Sequence, residues 1–327
     1  MGAAEHSNRQ TRNCAATPEN IAAAATALRA GQLVAFPTET VYGLGADATN
    51  GAAVAGIYQA KGRPSFNPLI AHVADAEAAF QEGVFSDAAK RLANTFWPGP
   101  LTLVVPLNPH SKISDLARAG LDSIGLRVPS HPVAHALLKA VARPIAAPSA
   151  NRSGHVSPTT ASHVAEDLAT RIDMILDGGA CDVGVESTIL SCLDDTPRIL
   201  RPGGISRAQI EAVLGHALPE EDGQTPGEAI VAPGMLASHY APKAKLRLNA
   251  RDLRPRETGL DFGMSFGGMA ARDLSPTGDL AEAAANLFTF LRAMDSEGHA
   301  TIAIAPIPQD GLGEAINDRL SRAAAPR

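Results

Sequence analysis

Short apolar runs alternate with alanine-rich or amphipathic stretches along most of the chain. The apolar runs predict buried strands, and the stretches between them predict helices. The predicted strands cover residues 33–36, 69–73, 101–106, 124–128, 145–147 and 174–176. The predicted helices cover residues 21–30, 52–60, 86–96, 131–141 and 160–168. This alternation is typical of an α/β domain with a largely buried sheet.

Weaker sequence patterns occur before this α/β region and toward its C-terminal end. Residues 187–193 and 198–202 predict a late hairpin, so the sheet should be mixed. Residues 1–16 are predominantly polar and predict a frayed leader. After Leu214 the composition changes, and residues 216–232 are rich in proline, glycine and acidic residues, as a linker would be.

A second compact unit is predicted beyond this linker. One helix should begin near Thr277, and a strand at residues 301–305 and a helix at residues 314–324 should follow it. The apolar face of the first helix consists of Leu280, Ala284, Leu287, Leu291 and Met294. Steps of four and three residues place these side chains on one side, which favours core packing over a partner-binding face.

Composition and charge narrow the class of protein. Hydrophobic residues make up 45% of the chain and charged residues 19%, as in globular proteins generally. The net charge of −6 argues against a broad nucleic-acid-binding surface, because such surfaces are usually basic. Cys14, Cys181 and Cys192 are too widely spaced to suggest a zinc site, so we expect no metal site. No signal peptide or membrane-spanning run is recognisable, which predicts a cytoplasmic protein.

Common nucleotide-binding motifs are missing or weak. No glycine-rich phosphate loop ending in Lys-Ser or Lys-Thr occurs, so a P-loop ATPase is not expected. Residues 43–48 fit the glycine spacing of a dinucleotide fingerprint, but no acidic residue lies near position 63 to bind a ribose. A nucleotide would therefore need a different kind of site.

Cations, hydroxyls and amides follow several of the predicted strands. They lie in residues 37–44, 61–72, 123–129, 147–151, 185–188 and 198–204. Each segment alone could be an ordinary turn. Ligands of open α/β sheets bind beyond the carboxyl ends of the strands, where these segments would meet. With no obvious nucleophile–base pair, the set indicates positioning of phosphate and carboxylate groups rather than hydrolysis.

The order of these motifs resembles the YrdC/Sua5 family. Lys61-Gly-Arg63 and the distant Ser149-Ala-Asn151 match the paired signature of that family, K-x-R with S-x-N. The resemblance continues through residues 37–44, 97–102, 186–188 and 201–204. It reaches His239-Tyr240-Ala-Pro242, a linker motif of the long, Sua5-type members, and covers residues from about 17 to 324.

The resemblance implies three parts of the chain. Residues 17–215 would form a twisted, open, mixed-sheet α/β domain of the YrdC type. Residues 216–242 would form a linker or lid, anchored by Tyr240, and residues 243–327 a small Rossmann-like C-terminal domain. Members of this family make an adenylate, a mixed anhydride that water easily hydrolyses. A lid would protect this product by keeping water out.

The same resemblance implies an L-threonylcarbamoyladenylate synthase. Such an enzyme joins L-threonine, bicarbonate and ATP into threonylcarbamoyl-AMP, releases diphosphate, and supplies the N6-threonylcarbamoyladenosine modification of tRNA. ATP is expected as a substrate together with Mg²⁺, without a dedicated metal site on the protein. The expected partner is the tRNA threonylcarbamoyl-transfer machinery, with no membrane and at most weak direct binding of tRNA.

Site residues are carried over motif by motif. The implied catalytic residues are Lys61, Arg63, Ser149 and Asn151. The implied ATP-binding residues are Arg63, Asn67, Ser123, Asn151, Thr159, Arg201 and Tyr240. The implied L-threonine-binding residues are Thr40, His72, Arg127, Ser149 and Thr188. In the mechanism that this suggests, Lys61, Arg63 and Arg201 serve the phosphates, and Arg127 binds the threonine carboxylate.

Two other functions compete with this interpretation. A double-stranded RNA-binding module would also use a broad concave surface, but the acidic balance and the lack of interleaved aromatic residues count against it. A carbamoyl-transferring maturation factor would share the YrdC-like domain. Such factors carry additional acylphosphatase and zinc-finger segments, which this sequence lacks.

Overall fold

A ten-stranded mixed sheet forms the core of the larger unit. The structure is a computed structural model that describes residues 10–64, 67–219 and 240–326. The strands are β1 (Arg12–Ala15), β2 (Val34–Phe36), β3 (Gly43–Asp47), β4 (Ile70–His72), β5 (Leu101–Pro106), β6 (Ser123–Arg127), β7 (Ile145–Ala146), β8 (Met174–Asp177), β9 (Thr188–Ser191) and β10 (Arg198–Arg201). Their order across the sheet is β1-β8-β2-β3-β7-β4-β6-β5-β9-β10.

Strand pairing confirms that the sheet is mixed. Strand β8 pairs in parallel with both β1 and β2, and β4 pairs in parallel with β6. Strands β2 and β3, β5 and β6, and β9 and β10 are antiparallel. The late hairpin predicted from the sequence is therefore confirmed as β9 and β10. The sheet is open, because β1 and β10 are its two edges.

Helices cover this sheet and begin at residues that satisfy their free N–H groups. They are α1 (Pro18–Arg29), α2 (Gly51–Lys61), α3 (Ala76–Glu82), α4 (Asp87–Phe96), α5 (Pro132–Val141), α6 (Ala161–Leu168) and α7 (Arg207–Leu214). Thr17, Asn50 and Ser86 each accept a backbone hydrogen bond at the start of a helix. Helix α1 is followed by Gly31 with φ +82°, the left-handed conformation predicted for that position.

The second unit is a smaller, all-parallel sheet with two long helices. Its strands are β11 (Lys245–Arg247), β12 (Thr258–Asp261), β13 (Arg272–Asp273) and β14 (Thr301–Ile304), in the order β11-β14-β12-β13. Its helices are α8 (Leu280–Ser296) and α9 (Leu312–Ala324). The predicted apolar face of α8 is buried in the core of this unit. We call the two parts the sheet unit and the C-terminal unit.

The two units share part of one apolar core. Val41, Val156 and Val185 of the sheet unit belong to the same apolar cluster as the core of the C-terminal unit. Gly184 has φ +76°, and a Cβ atom placed there would lie 2.3 Å from the carbonyl oxygen of Ala284 in α8. Backbone therefore packs against backbone at this point, which only glycine allows.

Some sequence-based expectations were wrong or incomplete. The leader at residues 1–16 includes β1, which pairs with β8 in the register Arg12↔Met174 to Ala15↔Asp177. Its polar sequence is compatible with an edge strand, because one face and one edge are exposed. Strands β3, β11, β12 and β13 and helices α3 and α7 were not predicted. Most of the predicted linker and lid, at residues 216–242, lies outside the described residues.

Strand packing accounts for Gly45 in the glycine-rich segment of β3. Its ideal Cβ would lie 2.9 Å from Phe36 Cε1 and 3.0 Å from Ile145 Cγ2, both on neighbouring strands. The glycine therefore serves strand packing. No helix in the described ranges is both long and apolar enough to span a lipid bilayer.

We predict that Gly45→Ala lowers the free energy of unfolding by about 1–3 kcal/mol, because the added methyl group overpacks the sheet. Gly51→Ala is the matched control. Gly51 begins α2, and its ideal Cβ would meet no atom closer than Ser114 Cβ at 3.9 Å. Alanine should be tolerated or favoured there. Denaturant unfolding measures both variants, and equal stability of the two would contradict the packing argument.

Candidate active site

One cleft collects side chains from the ends of many strands. Its wall consists of Thr38, Val41, Gly43, Arg63, Ile70, His72, Arg127, Ala147, Pro148, Ser149, Glu186, Ser187, Arg201 and Tyr240. His72 and Arg127 are register partners at the ends of the parallel strands β4 and β6. Pro148 and Ser149 follow β7, and Arg201 ends β10. The sheet topology thus brings distant parts of the sequence to one place.

Two arginines on one side of the cleft lie near each other. Arg63 donates from Nη2 to the carbonyl oxygen of Pro68 at 3.2 Å, while its buried Nε has no partner among the residues that the structure describes. Arg201 donates from Nη2 to the carbonyl oxygen of Ser187 at 2.8 Å. Burial, opposed in part by nearby tyrosines, lowers the pKa of Arg63 to about 10, and the charge of Arg201 adds to this shift. This side of the cleft is suited to anions.

Arg127 lies in the cleft wall and is held there by Glu39. Its Nη2 donates to Glu39 Oε1 at 2.6 Å and to Thr40 Oγ1 at 2.9 Å. The second carboxylate oxygen of Glu39 accepts the backbone N–H of Ser130 at 3.1 Å. In the described part of the chain, Arg127 Nε has no partner. The ion pair fixes the Arg127 guanidinium and leaves its Nε–H group available to donate to a ligand.

His72 is a neutral group beside this arginine. Burial, strengthened by the positive charge of Arg127, lowers the pKa of His72 to about 3. Its Nδ1 is buried and lacks a partner within the described ranges. The edge of its ring packs against Phe36, with ring centroids 6.4 Å apart. At neutral pH His72 therefore adds a polar atom to the cleft without adding charge.

Lys61 supports the cleft from behind. Its ammonium donates to the carbonyl oxygens of Ser149 and Asn151. Asn151 in turn donates from Nδ2 to the carbonyl oxygens of Arg152 and His155, both at 2.8 Å. Burial, with the charge of Arg63, lowers the pKa of Lys61 well below its usual value. Lys61 thus ties the first half of the paired signature to the second, because it holds the backbone at both Ser149 and Asn151.

The structure divides the predicted site residues into two groups. Those in the cleft wall are Arg63, His72, Arg127, Ser149, Arg201 and Tyr240. Those that are buried and do not line it are Lys61, Asn151, Thr40, Asn67, Ser123, Thr159 and Thr188. The roles assigned to both groups stay predictions.

Several members of the second group have internal partners. Thr188 Oγ1 donates to the carbonyl oxygen of Ile205 at 2.6 Å, and Thr159 Oγ1 lies 3.0 Å from Thr289 Oγ1 of the C-terminal unit. Asn67 differs, because its Oδ1 is buried with no partner in the chain segments described. These contacts give Thr188 and Thr159 a structural use, whereas the amide of Asn67 keeps an acceptor available.

Four polar residues of this region lie in the segments singled out from the sequence but were given no role there: Thr38, Glu39, Glu186 and Ser187. Ser187 and Thr188 are adjacent, so an extended chain turns their side chains to opposite sides. The sequence alone does not say which of the two faces the cleft. Ser187 does so, and its hydroxyl also lies 2.8 Å from Thr102 Oγ1.

Glu186 brings a negative charge to the cleft wall. Its two oxygens accept from Ser157 Oγ at 2.6 Å and from Arg319 Nε at 2.7 Å. Burial alone would raise its pKa, but the charges of Arg319 and Arg201 and the hydrogen bonds lower it to about 2. Glu186 is therefore ionised whenever the protein is near neutral pH.

Comparison with known proteins identifies this arrangement. A family model named Sua5_yciO_yrdC, described as telomere recombination, matches residues 26–203. A second model, described as threonylcarbamoyl-AMP synthase C-terminal domain, matches residues 205–325. The chain belongs to the Sua5/YciO/YrdC family.

Full-length relatives agree with this membership. The threonylcarbamoyl-AMP synthase of Bacillus subtilis is 44% identical, over 94% of this chain and 93% of its own length. That of Pyrococcus abyssi is 42% identical, over 93% and 94%. The crystal structure of P. abyssi Sua5 complexed with L-threonine matches with a TM-score of 0.86 at 38% identity, covering 96% of this chain and 97% of that one. The chain is accordingly a nucleotidyltransferase of the threonylcarbamoyl-AMP synthase type.

Metal ligands do not cluster in the described ranges, where no group of three His, Cys, Asp or Glu side chains could hold an ion. The cleft offers nitrogen donors and hydroxyls instead. These groups bind anions directly.

We predict that His72 makes the protein less stable as pH falls. Its pKa is lower in the folded protein than in the unfolded chain, so its stabilising contribution is complete above about pH 6.5 and is lost progressively toward about pH 3. His72→Gln should reduce the fall in unfolding free energy over this range, and exposed His110→Gln should not. Denaturant titrations at several pH values measure this, and identical pH profiles for His72→Gln and wild type would contradict it.

Proposed function

We propose that the cleft converts L-threonine, bicarbonate and ATP into threonylcarbamoyl-AMP and diphosphate. The observation that carries this proposal is the convergence of Arg63, Arg127 and Arg201 on one cleft with Ser149. All three substrates are anions or carry a carboxylate, and arginine is the side chain best suited to phosphate and carboxylate. The membership of the chain in this family supports the same reaction.

The proposed chemistry has two steps. The uncharged amine of threonine adds to CO₂ derived from bicarbonate, and loss of the amine proton gives a carbamate. A carbamate oxygen then attacks the α-phosphorus of ATP, and the bond to the bridging oxygen of diphosphate breaks. Dehydration of bicarbonate takes up the proton that the amine releases and gives water. The products are therefore the carbamoyl adenylate, diphosphate and water, and atoms and charges balance. Positioning and charge stabilisation supply the catalysis, as is usual for phosphoryl-type transfer.

Each side of the cleft suits one substrate. Arg63 and Arg201 would bind the phosphates, with Tyr240 beside them. Arg127, oriented by Glu39, would bind the threonine carboxylate, and neutral His72 would lie next to it. The P. abyssi relative has been crystallised with L-threonine, which supports threonine as the amino-acid substrate here.

Ser149 would face the carbamate between the two substrates. Its backbone is fixed by Lys61, which donates to the carbonyl oxygens of Ser149 and Asn151, so its hydroxyl can be held in one place. We therefore propose that Lys61 and Asn151 contribute to the carbamate step indirectly, by supporting the segment that carries Ser149. Thr40, Thr188, Thr159, Asn67 and Ser123 are proposed to act from behind the cleft wall.

The remaining partners are also proposals. Mg²⁺ would arrive with ATP, since triphosphates usually carry it and the cleft itself presents cations. The adenylate would pass to the tRNA threonylcarbamoyl-transfer machinery, and tRNA itself would bind weakly if at all. ATP and tRNA are both cytoplasmic, which favours that compartment. The lid role of residues 216–242 stays a prediction, because residues 220–239 lie outside the described parts.

Product analysis tests the proposed reaction directly. Purified protein is incubated with ATP, bicarbonate and L-threonine, and the mixture is analysed by mass spectrometry for threonylcarbamoyl-AMP and diphosphate. Omitting any one substrate should abolish the adenylate. A salt titration of double-stranded RNA binding accompanies it. Tight, steeply salt-dependent RNA binding without adenylate formation would favour the RNA-binding alternative instead.

We predict that Arg63→Ala and Arg201→Ala each lower the rate of adenylate formation about 100-fold or more, because charge stabilisation at the phosphates is lost. Arg198→Ala is the matched control. Arg198 lies on the same strand as Arg201, but its side chain is 58% exposed and pairs with Asp194. Rates are measured by release of diphosphate. If Arg198→Ala lowers the rate as much as Arg201→Ala does, the loss of activity comes from disturbing strand β10 and not from removing charge in the cleft.

We predict that Ser149→Ala lowers kcat more than it weakens ATP binding, because the hydroxyl faces the reacting carbamate rather than the nucleotide. Lys61 still fixes the backbone in this variant, so the fold should persist. Steady-state kinetics and calorimetric ATP titration measure the two effects. Equal losses in kcat and ATP affinity would contradict the assignment and indicate plain ground-state binding.

A further inference from the structure

Arg319 of the C-terminal unit reaches the wall of the cleft in the sheet unit. It belongs to α9, and its side chain is fully buried. Besides the ion pair with Glu186, it donates from Nη2 to the carbonyl oxygen of Pro202 at 3.0 Å and from Nη1 to Asp318 Oδ2 at 2.5 Å. Pro202 directly follows Arg201. One side chain from the C-terminal unit thus holds two segments of the cleft wall.

The charge of Glu186 makes this contact important for a nucleotide. A carboxylate in the wall of a cleft that receives a triphosphate repels it unless a cation neutralises the carboxylate. The only cation in an ion pair with Glu186, in the chain as described, is Arg319. Charge repulsion across a desolvated site is strong because little water screens it.

Tyr240 depends on the same residue. The Arg319 guanidinium lies over the Tyr240 ring, 5.3 Å from its centroid. The ring also stacks on Phe288 of α8, with centroids 5.5 Å apart and an interplanar angle of 22°. Both contacts come from the C-terminal unit, and they fix where Tyr240 stands in the cleft wall.

We propose that Arg319 is a positioning residue of the ATP site. It neutralises Glu186, and it holds Tyr240 and the segment after Arg201 in place. The C-terminal unit thereby controls ATP affinity without contacting a reacting atom. This inference rests on the proposed function, since it takes the anion of the cleft to be ATP. Glu39 and Arg127 on the other side of the cleft do not contact Arg319, so threonine affinity should be spared.

Arg292 provides a matched control within the same unit. It also joins the C-terminal unit to the sheet unit, through Asp167 Oδ2 at 2.6 Å and the carbonyl oxygen of Val156. It is not part of the cleft wall. If Arg319 only fastened the two units together, substitution of Arg292 would have the same consequences.

The experiment compares Arg319→Met with Arg292→Met in the full-length chain. KM is measured for ATP and for L-threonine, ATP dissociation constants are measured by calorimetry, and thermal unfolding is recorded for each variant. We expect Arg319→Met to raise KM and Kd for ATP about tenfold or more, as when a buried ion pair at a charged site loses one partner. KM for L-threonine should stay within about twofold of wild type, and Arg292→Met should change neither constant beyond that.

Glu186→Gln tests the electrostatic part of the proposal. Introduced into Arg319→Met, it removes the negative charge that has lost its ion-pair partner and should restore a large part of the lost ATP affinity. Introduced alone, it should leave ATP affinity equal or higher.

If Arg319→Met does not fold, Arg319→Lys and Glu186→Gln alone carry the test. Lysine keeps the neutralising charge but loses the donors that hold Pro202 and the planar group over Tyr240, so KM for ATP should rise while KM for L-threonine stays within about twofold of wild type.

Several results would overturn the inference. They are equal rises in KM for ATP and L-threonine, an ATP effect of Arg292→Met as large as that of Arg319→Met, and weaker ATP binding in Glu186→Gln alone. A folded Arg319→Lys in which KM for L-threonine rises as much as KM for ATP would do the same. A wild-type protein that forms no adenylate refutes the proposed function instead, and the calorimetric constants then still decide the role of Arg319.

Discussion

The positive charge buried at the carboxyl ends of the sheet has to be solvated by the protein itself, because water hardly reaches it. Lys61, Arg63, Arg127 and Arg201 are each at most 9% exposed, and Arg319 is fully buried. Burying a charge is costly unless it is paired and hydrogen-bonded. Burial lowers the pKa of both Lys61 and Arg201, and the cations also oppose one another, since Arg63 adds to the lowering at Lys61 and Arg319 to that at Arg201. The rest of the cleft is arranged around this requirement.

Two kinds of acceptor meet the requirement, and they leave different residues available to ligands. Backbone carbonyls engage Lys61 and Arg201, whereas the carboxylates of Glu39 and Glu186 engage Arg127 and Arg319. Two of the three arginines that line the cleft keep a donor available, because the Nε atoms of Arg63 and Arg127 lack partners in the described structure. Their unused donors are what makes the cleft able to hold anions.

Sequence periodicity predicted most of the sheet unit because its strands are apolar and buried on both faces. It failed where that signal is missing: β1 is a polar edge strand, and β3 contains two glycines. Motif order located the cleft, but not which atoms face it. Lys61 ends α2 and points toward two carbonyls, an orientation that follows from the path of residues 149–151 and not from local sequence. Arg319 was missed as a site residue because it lies in another unit, far along the chain.

The contact at Gly184 limits how the two units can move. Its backbone lies against that of α8 with no side chain between them, so the distance between units is set by main-chain atoms rather than by adaptable rotamers. Main-chain surfaces pressed this closely cannot slide past each other without collision. A rearrangement at this contact would therefore have to move the backbone of α8, because no change of side-chain rotamer can relieve it. A larger residue at position 184 would push the backbones of the two units apart.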